Sequence, residues 1–577
     1  MTERCTVIAA IAILLGLPAL APAQVDQFRP VTTEMLENPD PGDWLSFSRT
    51  LDAQRFSPLD QINRDNVDRL QMAWSRGTGT GTQESIPLVH DGVMYLIQPG
   101  SNILALDATN GDLIWEYERE YARENMGNTR SKTIAIYEDV IITTTPDSYV
   151  VGLDAGTGEV RWETQADARG HSAGPIMADG KVITGGSCPG GRENCYLSAH
   201  DALTGELLWK FYTTQAPDDP PGFDTWAGVP LEDRTASTWG MSGSYDPEKD
   251  LIYWGIANPT PNTRMARHGG DANAIPTYAP ADLYSNSTVA LDPDTGELVW
   301  YYQHLPGDDW DQDLTNERIL FSTPINPDPE HVKWINPNIE PGEVRDVITA
   351  IGEPGGLWVL DRGTGEFLWA TPFPYDTENF VIKDIDVETG IVYPDFDLGF
   401  QGPGEQHIIC FYNTTSYWPS AYHPGTNTLW VPYVDNCLDM TSGGEGSREI
   451  RVPYVHSPTP EEYAGVARID METGEIRHVY KGRAPGNGAM LATAGDVVFW
   501  GDLDRRFRAF DVESGESLWE SIVGGPITNS TISYAVDGKQ YVALFVGQGL
   551  MTAALMDIAQ ITAPQGSNSI VVFALPE

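Results

Sequence analysis

Basic residues are scarce in this chain. Its 577 residues include 35 lysines and arginines against 82 aspartates and glutamates, so the formal net charge is −47 at pH 7. A protein with so negative a field repels phosphate backbones and attracts cations, so the composition excludes nucleic acid as a partner and favours cationic ones. The alternative explanation is solubility, for instance in a saline habitat, which by itself accounts for most of such an excess of acidic residues.

Long apolar runs are absent beyond the start of the chain. Arg4 precedes an apolar stretch from Val7 to Leu20, and small residues follow it. A short apolar stretch with a basic start is typical of a secretory signal and is too short to span a membrane. We therefore predict a signal peptide at residues 1–23, a single exported domain at residues 24–577, and no membrane span. A membrane anchor is the alternative interpretation of the same stretch.

Cysteine is rare as well. The chain has five cysteines, and Cys5 falls within the predicted signal peptide. The other four allow three pairings in an oxidising compartment, of which we favour Cys188 with Cys195 and Cys410 with Cys437. Zinc binding is the competing interpretation, but the spacing matches no common zinc pattern. The motif C-x-x-C-H does not occur, so these residues encode no covalently attached haem.

The chain does contain a repeated phrase, D-x-x-[TSN]-G, usually with a tryptophan four residues after the glycine. The copies begin at Asp107, Asp154, Asp201, Asp292, Asp361, Asp470 and Asp511. The tryptophans are Trp115, Trp162, Trp209, Trp300, Trp369 and Trp519, with His478 at that position in the sixth copy. The first three tryptophans are 47 residues apart, which is long enough for four short strands. Self-similarity at this period predicts an all-β fold, namely a β-propeller.

The phrase itself predicts a tight turn. In Asp154-Ala-Gly-Thr-Gly the aspartate can bond to its own backbone, and Gly158 tolerates a positive φ. The large aromatic that follows can pack between adjacent sheets. No segment has the pattern of a long amphipathic helix.

Three polar segments interrupt the repeats and are candidates for a functional site. One is Thr82-Gln-Glu-Ser, which contains Glu84; another is Ser237-Thr-Trp-Gly together with Asn258-Pro-Thr-Pro. The third contains Asp308, Asp309, Asp311 and Asp313. Oxygen ligands of this kind suit a hard cation such as calcium. A solvated loop has the same composition, so the residues alone predict a polar centre that could bind a metal.

The chain resembles the quinoprotein alcohol dehydrogenases, which carry pyrroloquinoline quinone (PQQ) in an eight-bladed propeller. The resemblance covers essentially all of the chain after residue 23, and its motifs occur in the family's order. They are Ala53-Gln-Arg-Phe-Ser-Pro-Leu, Ser237-Thr-Trp-Gly, Gly255-Ile-Ala-Asn-Pro, Asp309-Trp-Asp, Leu491-Ala-Thr-Ala-Gly and Val536-Asp-Gly-Lys-Gln-Tyr-Val.

The resemblance implies roles for individual residues. Asp311 matches the general base that takes the alcohol proton and also lies at the metal site, and Asn258 matches a metal ligand. Trp239 matches the tryptophan on which the quinone stacks. Further contacts to the cofactor are implied for Glu84, Ser172, Ser187 and Thr238. Asp313 matches an extra aspartate of lanthanide-dependent members, since a trivalent ion gains more than calcium from one further carboxylate. The metal is therefore expected to be calcium or a lanthanide.

Several positions depart from the family pattern. The adjacent cysteine pair that covers one face of the quinone is absent, and the matching stretch offers only Arg130 or Lys132 as a cation for the cofactor. Glu193 is the one carboxylate in the loop that should carry the glutamate ligand. The family's basic residue is missing near Glu353, and Asn487 stands where methanol-oxidising relatives have a tryptophan. The loss of bulky groups suits a substrate larger than methanol.

The resemblance implies a periplasmic PQQ-dependent alcohol dehydrogenase. It would oxidise an alcohol to an aldehyde or ketone by hydride transfer to metal-bound PQQ and pass the electrons to a soluble cytochrome c. A quinoprotein for sugars, polyols or polymeric alcohols would share every residue named above. A non-catalytic propeller that scaffolds envelope proteins is the remaining alternative.

Overall fold

The structure is a computed structural model, and it describes residues 24–25, 28–121, 132–166, 172–188, 190–271, 277–443, 449–562, 564 and 568–577. The predicted signal peptide lies outside the described residues. Within them, the prediction of an all-β fold is confirmed, because the helices are short: Thr33–Glu37, Arg264–Arg267 and Thr552–Ile558. None of these helices has the length and apolar character that crossing a bilayer requires.

The described strands form eight sheets of four or five strands. The first four sheets comprise Leu88–His90, Val93–Gln98, Asn102–Asp107 and Leu113–Tyr117 (sheet 1); Ala135–Tyr137, Val140–Thr144, Tyr149–Asp154 and Val160–Gln165 (sheet 2); Ile176–Ala178, Lys181–Thr184, Tyr196–Asp201 and Leu207–Tyr212 (sheet 3); and Ser244–Asp246, Leu251–Gly255, Ser287–Leu291 and Leu298–Gln303 (sheet 4).

The next three sheets comprise Ile319–Ile325, Glu343–Ile351, Gly356–Asp361, Phe367–Pro372 and Trp334–Ile335 (sheet 5); Ala421–His423, Thr428–Val434, Ala464–Asp470 and Ile476–Gly482 (sheet 6); and Phe56–Ser57, Leu491–Thr493, Val497–Gly501, Arg506–Asp511 and Ser517–Ile522 (sheet 7). Sheet 8 joins the two ends of the chain: its strands are Ile532–Val536, Lys539–Val546, Ser569–Ala574 and Gln71–Gly77.

Three smaller sheets lie outside this series. They pair Thr235–Ala236 with Pro259–Thr260, Ile382–Ile385 with Val392–Pro394, and Gln406–Cys410 with Asn436–Thr441 and Ile450–Val455. The last of them is here called the cover sheet. Both favoured disulfides are confirmed: Cys188 bonds to Cys195, and Cys410 bonds to Cys437 between two strands of the cover sheet.

The repeated phrase forms the predicted turn and also docks one sheet on the next. The Asp154 carboxylate accepts hydrogen bonds from the backbone of Gly156 and Thr157, and Gly158 has a φ of 75°. A Cβ on Gly158 would lie 2.5 Å from the indole of Trp115 on sheet 1. Trp115 also donates its Nε1–H to the carbonyl of Ala155 at 3.0 Å. The glycine therefore supplies both the left-handed backbone and the space for the neighbouring tryptophan.

The same stacking joins further pairs of sheets. The tryptophan of one sheet covers the turn glycine of the next in the pairs Trp162 and Gly205, Trp209 and Gly296, and Trp300 and Gly365. Trp74 on sheet 8 covers Gly111 on sheet 1 in the same way and donates to the carbonyl of Ala108. The repeat did not reveal Trp74, because its strand comes from the start of the chain and no aspartate turn precedes it.

In the sixth copy, the side chain that docks on the next sheet is not the one that the repeat predicts. A Cβ on Gly515 would lie 2.4 Å from Val479, the residue after His478. The strand register shifts at this point, and His478 accepts or donates a hydrogen bond with the hydroxyl of Tyr433 instead. Val479 therefore occupies the docking position of sheet 6, and His478 does not replace the tryptophan.

We expect Gly205→Ala to lower the free energy of unfolding by about 2–4 kcal/mol, from backbone strain and overpacking together. Gly205 has a φ of 74°, and a Cβ there would lie 2.3 Å from the ring of Trp162. Gly538→Ala is the matched control, because Gly538 has a φ of 77° with nothing within 4 Å of the added Cβ. Urea unfolding of both variants separates the two effects; equal losses would contradict the docking role of Gly205.

Candidate functional site

The loop from residue 306 to residue 313 is held by two of its own aspartates. Asp308 is fully buried and accepts hydrogen bonds from the backbone N–H groups of Trp310 at 2.7 Å and Gln312 at 2.9 Å. Burial raises the pKa of Asp308 to about 7. Asp309 is also buried and pairs with Arg264 at 3.2 Å. Both carboxylates therefore shape the loop and are not available to a ligand.

The clamped loop directs Asp311 and Asp313 to one residue, Asn258. Asp311 has a left-handed backbone, with a φ of 65°. Its Oδ1 accepts from the side-chain amide of Asn258 at 3.0 Å, while Oδ1 of Asp313 accepts from the Asn258 backbone N–H at 2.9 Å. The loop is not a strand, and the two carboxylates converge through these contacts with Asn258. The structure thus brings together three of the four predicted metal ligands.

Asp313 also connects this cluster to the predicted platform for the quinone. The indole Nε1–H of Trp239 donates to Oδ2 of Asp313 at 2.8 Å. Asp313 is almost fully buried, and burial raises the pKa of its carboxyl group. The indole of Trp239 and the buried carboxylate of Asp313 are therefore in direct contact.

A further carboxylate, Glu353, enters the same cluster. Its Oε2 accepts from the backbone N–H of Asp313 at 3.1 Å, and the side chain is buried. Burial, followed by the nearby charge of Asp313, raises the pKa of Glu353 well above its usual range. Two neighbouring buried carboxylic acids are stabilised as carboxylates when a cation binds between them. In the sequence, Glu353 is identified only as lying near the position where the family has a basic residue and this chain does not.

The backbone of Trp239 is held by the residues predicted to contact the cofactor. Lys132 donates from Nζ to the Trp239 carbonyl at 3.1 Å and Ser172 donates from Oγ at 2.9 Å. The ammonium lies 5.2 Å from the Trp239 ring centroid and 3.8 Å from Oε2 of Glu84, and the Lys132 and Glu84 side chains are both fully buried. Tyr417, which sequence reasoning missed, packs edge-on against the Trp239 ring at 5.8 Å.

The remaining predicted residues lie at different distances from this centre. Thr238 is buried and accepts from the backbone N–H of Gly186 at 2.8 Å, next to the half-buried Ser187. Glu193 lies exposed on the 3₁₀ turn Arg192–Asn194, where its Oε2 accepts from the hydroxyl of Tyr212 at 3.3 Å. The structure does not bring Glu193 to Asn258. Arg130 lies outside the described residues.

Buried polar groups next to Glu84 lack partners within the part of the chain that the structure describes. Gln83, Asn487 and Asn529 are fully buried, and each has both side-chain polar atoms without a hydrogen bond. They are neighbours: the Asn529 backbone donates to the Asn487 carbonyl at 2.6 Å, and Thr528 donates to the Gln83 carbonyl at 2.7 Å. Because buried polar groups are normally satisfied, this lining suits a polar ligand. The polar groups of a multiply charged quinone fit these unpaired donors and acceptors in their chemistry, and the acidic cluster fits a hard cation.

Comparison with known proteins agrees with this site. A family model described as the β-propeller domain of PQQ-dependent glucose, ethanol and alcohol dehydrogenases matches residues 44–374 and 462–542. The quinohaemoprotein alcohol dehydrogenase ADH-IIG of Pseudomonas putida is 29% identical over 94% of this chain and 77% of its own length. The dehydrogenase subunit of the quinone-dependent alcohol dehydrogenase of Gluconobacter oxydans is 30% identical over 88% of this chain and 71% of its own length.

A solved structure shares the fold. A europium-containing methanol dehydrogenase superposes with a TM-score of 0.76 at 26% identity, and the match covers 94% of this chain and 99% of that one. The all-β chain therefore has the propeller architecture expected from the tryptophan repeats.

Proposed function

The chain belongs to the family of PQQ-dependent alcohol dehydrogenases, and from this we propose that it oxidises an alcohol to the aldehyde or ketone in the periplasm. One observation carries the proposal: Asp311, Asp313 and Asn258 converge beside the indole of Trp239. A scaffold protein has no need of an acidic cluster beside an aromatic platform. We further propose that sheets 1–8 are the eight blades of one propeller formed by residues 24–577.

The metal would be held by Asn258, Asp311 and Asp313, with Glu353 as a further carboxylate in place of the exposed Glu193. The donors are all oxygens, which is the ligand type of hard cations. Three carboxylates in one cluster, of which Asp313 and Glu353 are buried, attract a trivalent ion more strongly than calcium, because Coulomb energy scales with charge. We therefore propose a lanthanide ion, with calcium as the weaker alternative.

PQQ would lie on the Trp239 ring, with Lys132 supplying a positive charge for its carboxylates. Glu84, Ser172, Ser187 and Thr238 lie on the segments around that ring. The side-chain amides of Asn487 and Asn529, which have no hydrogen bond to any described residue, offer further donors and acceptors. When bound, this cofactor accepts the hydride, while the protein provides orientation and electrostatics.

The proton of the substrate hydroxyl would go to Asp311. Its side chain is 23% exposed, so an alcohol that enters from solvent reaches it, whereas Asp308, Asp309 and Asp313 are buried. Asn258 fixes one carboxylate oxygen, and the other contacts the guanidinium of Arg451. A base held in this way takes the proton from the hydroxyl oxygen while the hydride leaves the carbon that carries this hydroxyl.

We propose a separate soluble cytochrome c as the electron acceptor. The described relative from Pseudomonas is a quinohaemoprotein by name, whereas the 577 residues of this chain contain no C-x-x-C-H motif. A net charge of −47 favours a basic carrier through long-range attraction.

The test is a dye-linked oxidation assay on the purified protein reconstituted with PQQ and either Ca²⁺ or La³⁺. The substrates range from methanol through larger primary and secondary alcohols to sugars and polyols. We expect turnover only when PQQ and a metal are both present, with larger alcohols preferred over methanol. Absence of both PQQ uptake and turnover with either ion would refute the proposed function. Preference for sugars or polyols would correct the substrate class and keep the mechanism.

A further inference from the structure

We propose that Arg451, on the cover sheet, is a positioning residue for Asp311 and supplies a positive charge beside the acidic cluster. This inference rests on the proposed function, because it concerns the base of that reaction. The guanidinium Nη1 contacts Oδ2 of Asp311, the carboxylate oxygen that Asn258 leaves open. The two residues are far apart in the sequence, one on a loop and the other on a strand of the cover sheet, so only the tertiary fold brings them together.

The register of the cover sheet explains why Arg451 faces the site. Arg451 pairs with Met440, which pairs with His407, so these three side chains share one face of the sheet. Met440 on that face is buried, as is the neighbouring Leu438, whereas Val452 on the opposite face is 53% exposed. Arg451 therefore extends from the inner face of the cover sheet toward the loop that carries Asp311.

Arg451 belongs to a closed polar ring. The Asn258 amide donates to Asp311 at 3.0 Å and to Oδ1 of Asn262 at 3.1 Å. Asn262 donates to Oε1 of Glu449 at 2.8 Å, and that oxygen lies 3.9 Å from Nε of Arg451. The ring returns to Asp311 through Arg451, so each oxygen of the proposed base has its own partner.

The balance of charge also points to a role for Arg451. Asp313 and Glu353 adjoin Asp311 through Asn258 and the loop backbone, and Glu449 lies across the ring, so the surroundings of Asp311 are acidic. Among the described residues, the basic side chain that contacts Asp311 is Arg451. Its side chain is 37% exposed, and ion pairs so exposed to water contribute little to stability. Because the planar guanidinium fixes a carboxylate in direction, the contact instead positions the base.

Arg451 would both direct the Asp311 carboxylate and place a positive charge beside the metal site. Its removal should therefore lower turnover but raise metal affinity, which makes the proposal testable. A misdirected carboxylate slows turnover, since a displacement of about 1 Å can cost about 100-fold. A fixed positive charge repels a metal ion bound by the same carboxylate, so its removal tightens metal binding. Damage to the fold would instead lower both turnover and metal affinity.

The experiment compares Arg451→Gln and Arg451→Lys with wild-type protein. Arg477→Gln is the matched control, because Arg477 also pairs with a carboxylate on a strand surface, Glu475, but lies on sheet 6 away from Asp311. The measurements are kcat and KM of the PQQ-loaded enzyme, and titration of the cofactor-free protein with La³⁺. For Arg451→Gln we expect kcat to fall by about 10- to 100-fold, and La³⁺ affinity to rise by about threefold or more.

We expect Arg451→Lys to recover part of kcat, because it restores charge without the planar fork, and the control to match wild type in both measurements. Wild-type kcat in Arg451→Gln, or a parallel loss of turnover and La³⁺ affinity, would overturn the proposal. If wild-type protein binds PQQ and La³⁺ but oxidises no alcohol, the proposed function fails separately. The titration then still decides, since unchanged La³⁺ affinity in Arg451→Gln would refute a cation effect at Asp311.

Discussion

Asp311→Asn is expected to give a folded, PQQ-binding protein whose rate of alcohol oxidation is lower by about 10²–10⁴-fold, the usual contribution of a positioned base. Asparagine has nearly the shape of aspartate and tolerates the left-handed backbone that Asp311 adopts at a φ of 65°. The loop is also held by Asp308 and Asp309, which the substitution leaves in place. The loss should therefore come from the missing carboxylate, as base and as metal ligand, and not from unfolding.

The measurement is steady-state turnover with PQQ uptake recorded on the same samples. Asp439→Asn serves as the control, because Asp439 lies on the outer face of the cover sheet and bonds to Gln406 at 2.7 Å, away from the cluster. The control should keep wild-type turnover. If Asp311→Asn oxidises alcohol at the wild-type rate while binding PQQ normally, another group is the base.

Local chemistry in the sequence was sufficient for much of the fold. The turn phrase places an aspartate and a glycine at fixed positions, and the structure confirms a left-handed glycine at each, with φ between 71° and 78°. Docking in sheet 6 and the docking role of Trp74 could not be predicted in the same way. The first depends on a register shift beside Val479, and the second on pairing between the two ends of the chain.

The residues of the candidate site also fall into those predictable from local sequence and those that depend on tertiary packing. Asp311 and Asp313 share a short loop and Asn258 sits in a recognisable motif, so their convergence was predictable from the resemblance. Glu353, Tyr417 and Arg451 reach the centre from segments with no local pattern, and their contacts depend on how distant sheets pack. Glu193 is the opposite case: the sequence predicted it as a ligand from its place in the expected loop, but it lies on an exposed turn.

Asp313→Asn is expected to weaken the binding of La³⁺ much more than that of Ca²⁺. One unit of ion charge about 4 Å from a carboxylate is worth about 1 kcal/mol at a dielectric constant of about 80 and about 4 kcal/mol at about 20. Since La³⁺ carries one unit more than Ca²⁺, the preference should shift toward calcium by about 5-fold to about 10³-fold. Asp313 is 7% exposed, so little water screens it and the larger end of this range applies.

Isothermal titration of the cofactor-free protein with both ions measures this shift directly. Glu353→Gln is the informative partner variant: if Glu353 is a further carboxylate of the site, it should shift the preference in the same direction. Glu193→Gln should leave both affinities unchanged, because that side chain lies exposed beside Tyr212. An equal loss of Ca²⁺ and La³⁺ affinity in Asp313→Asn would mean that Asp313 serves to hold Trp239 and Asn258 in place. A preference shift in Glu193→Gln alone would return the glutamate ligand to the position that the resemblance first implied.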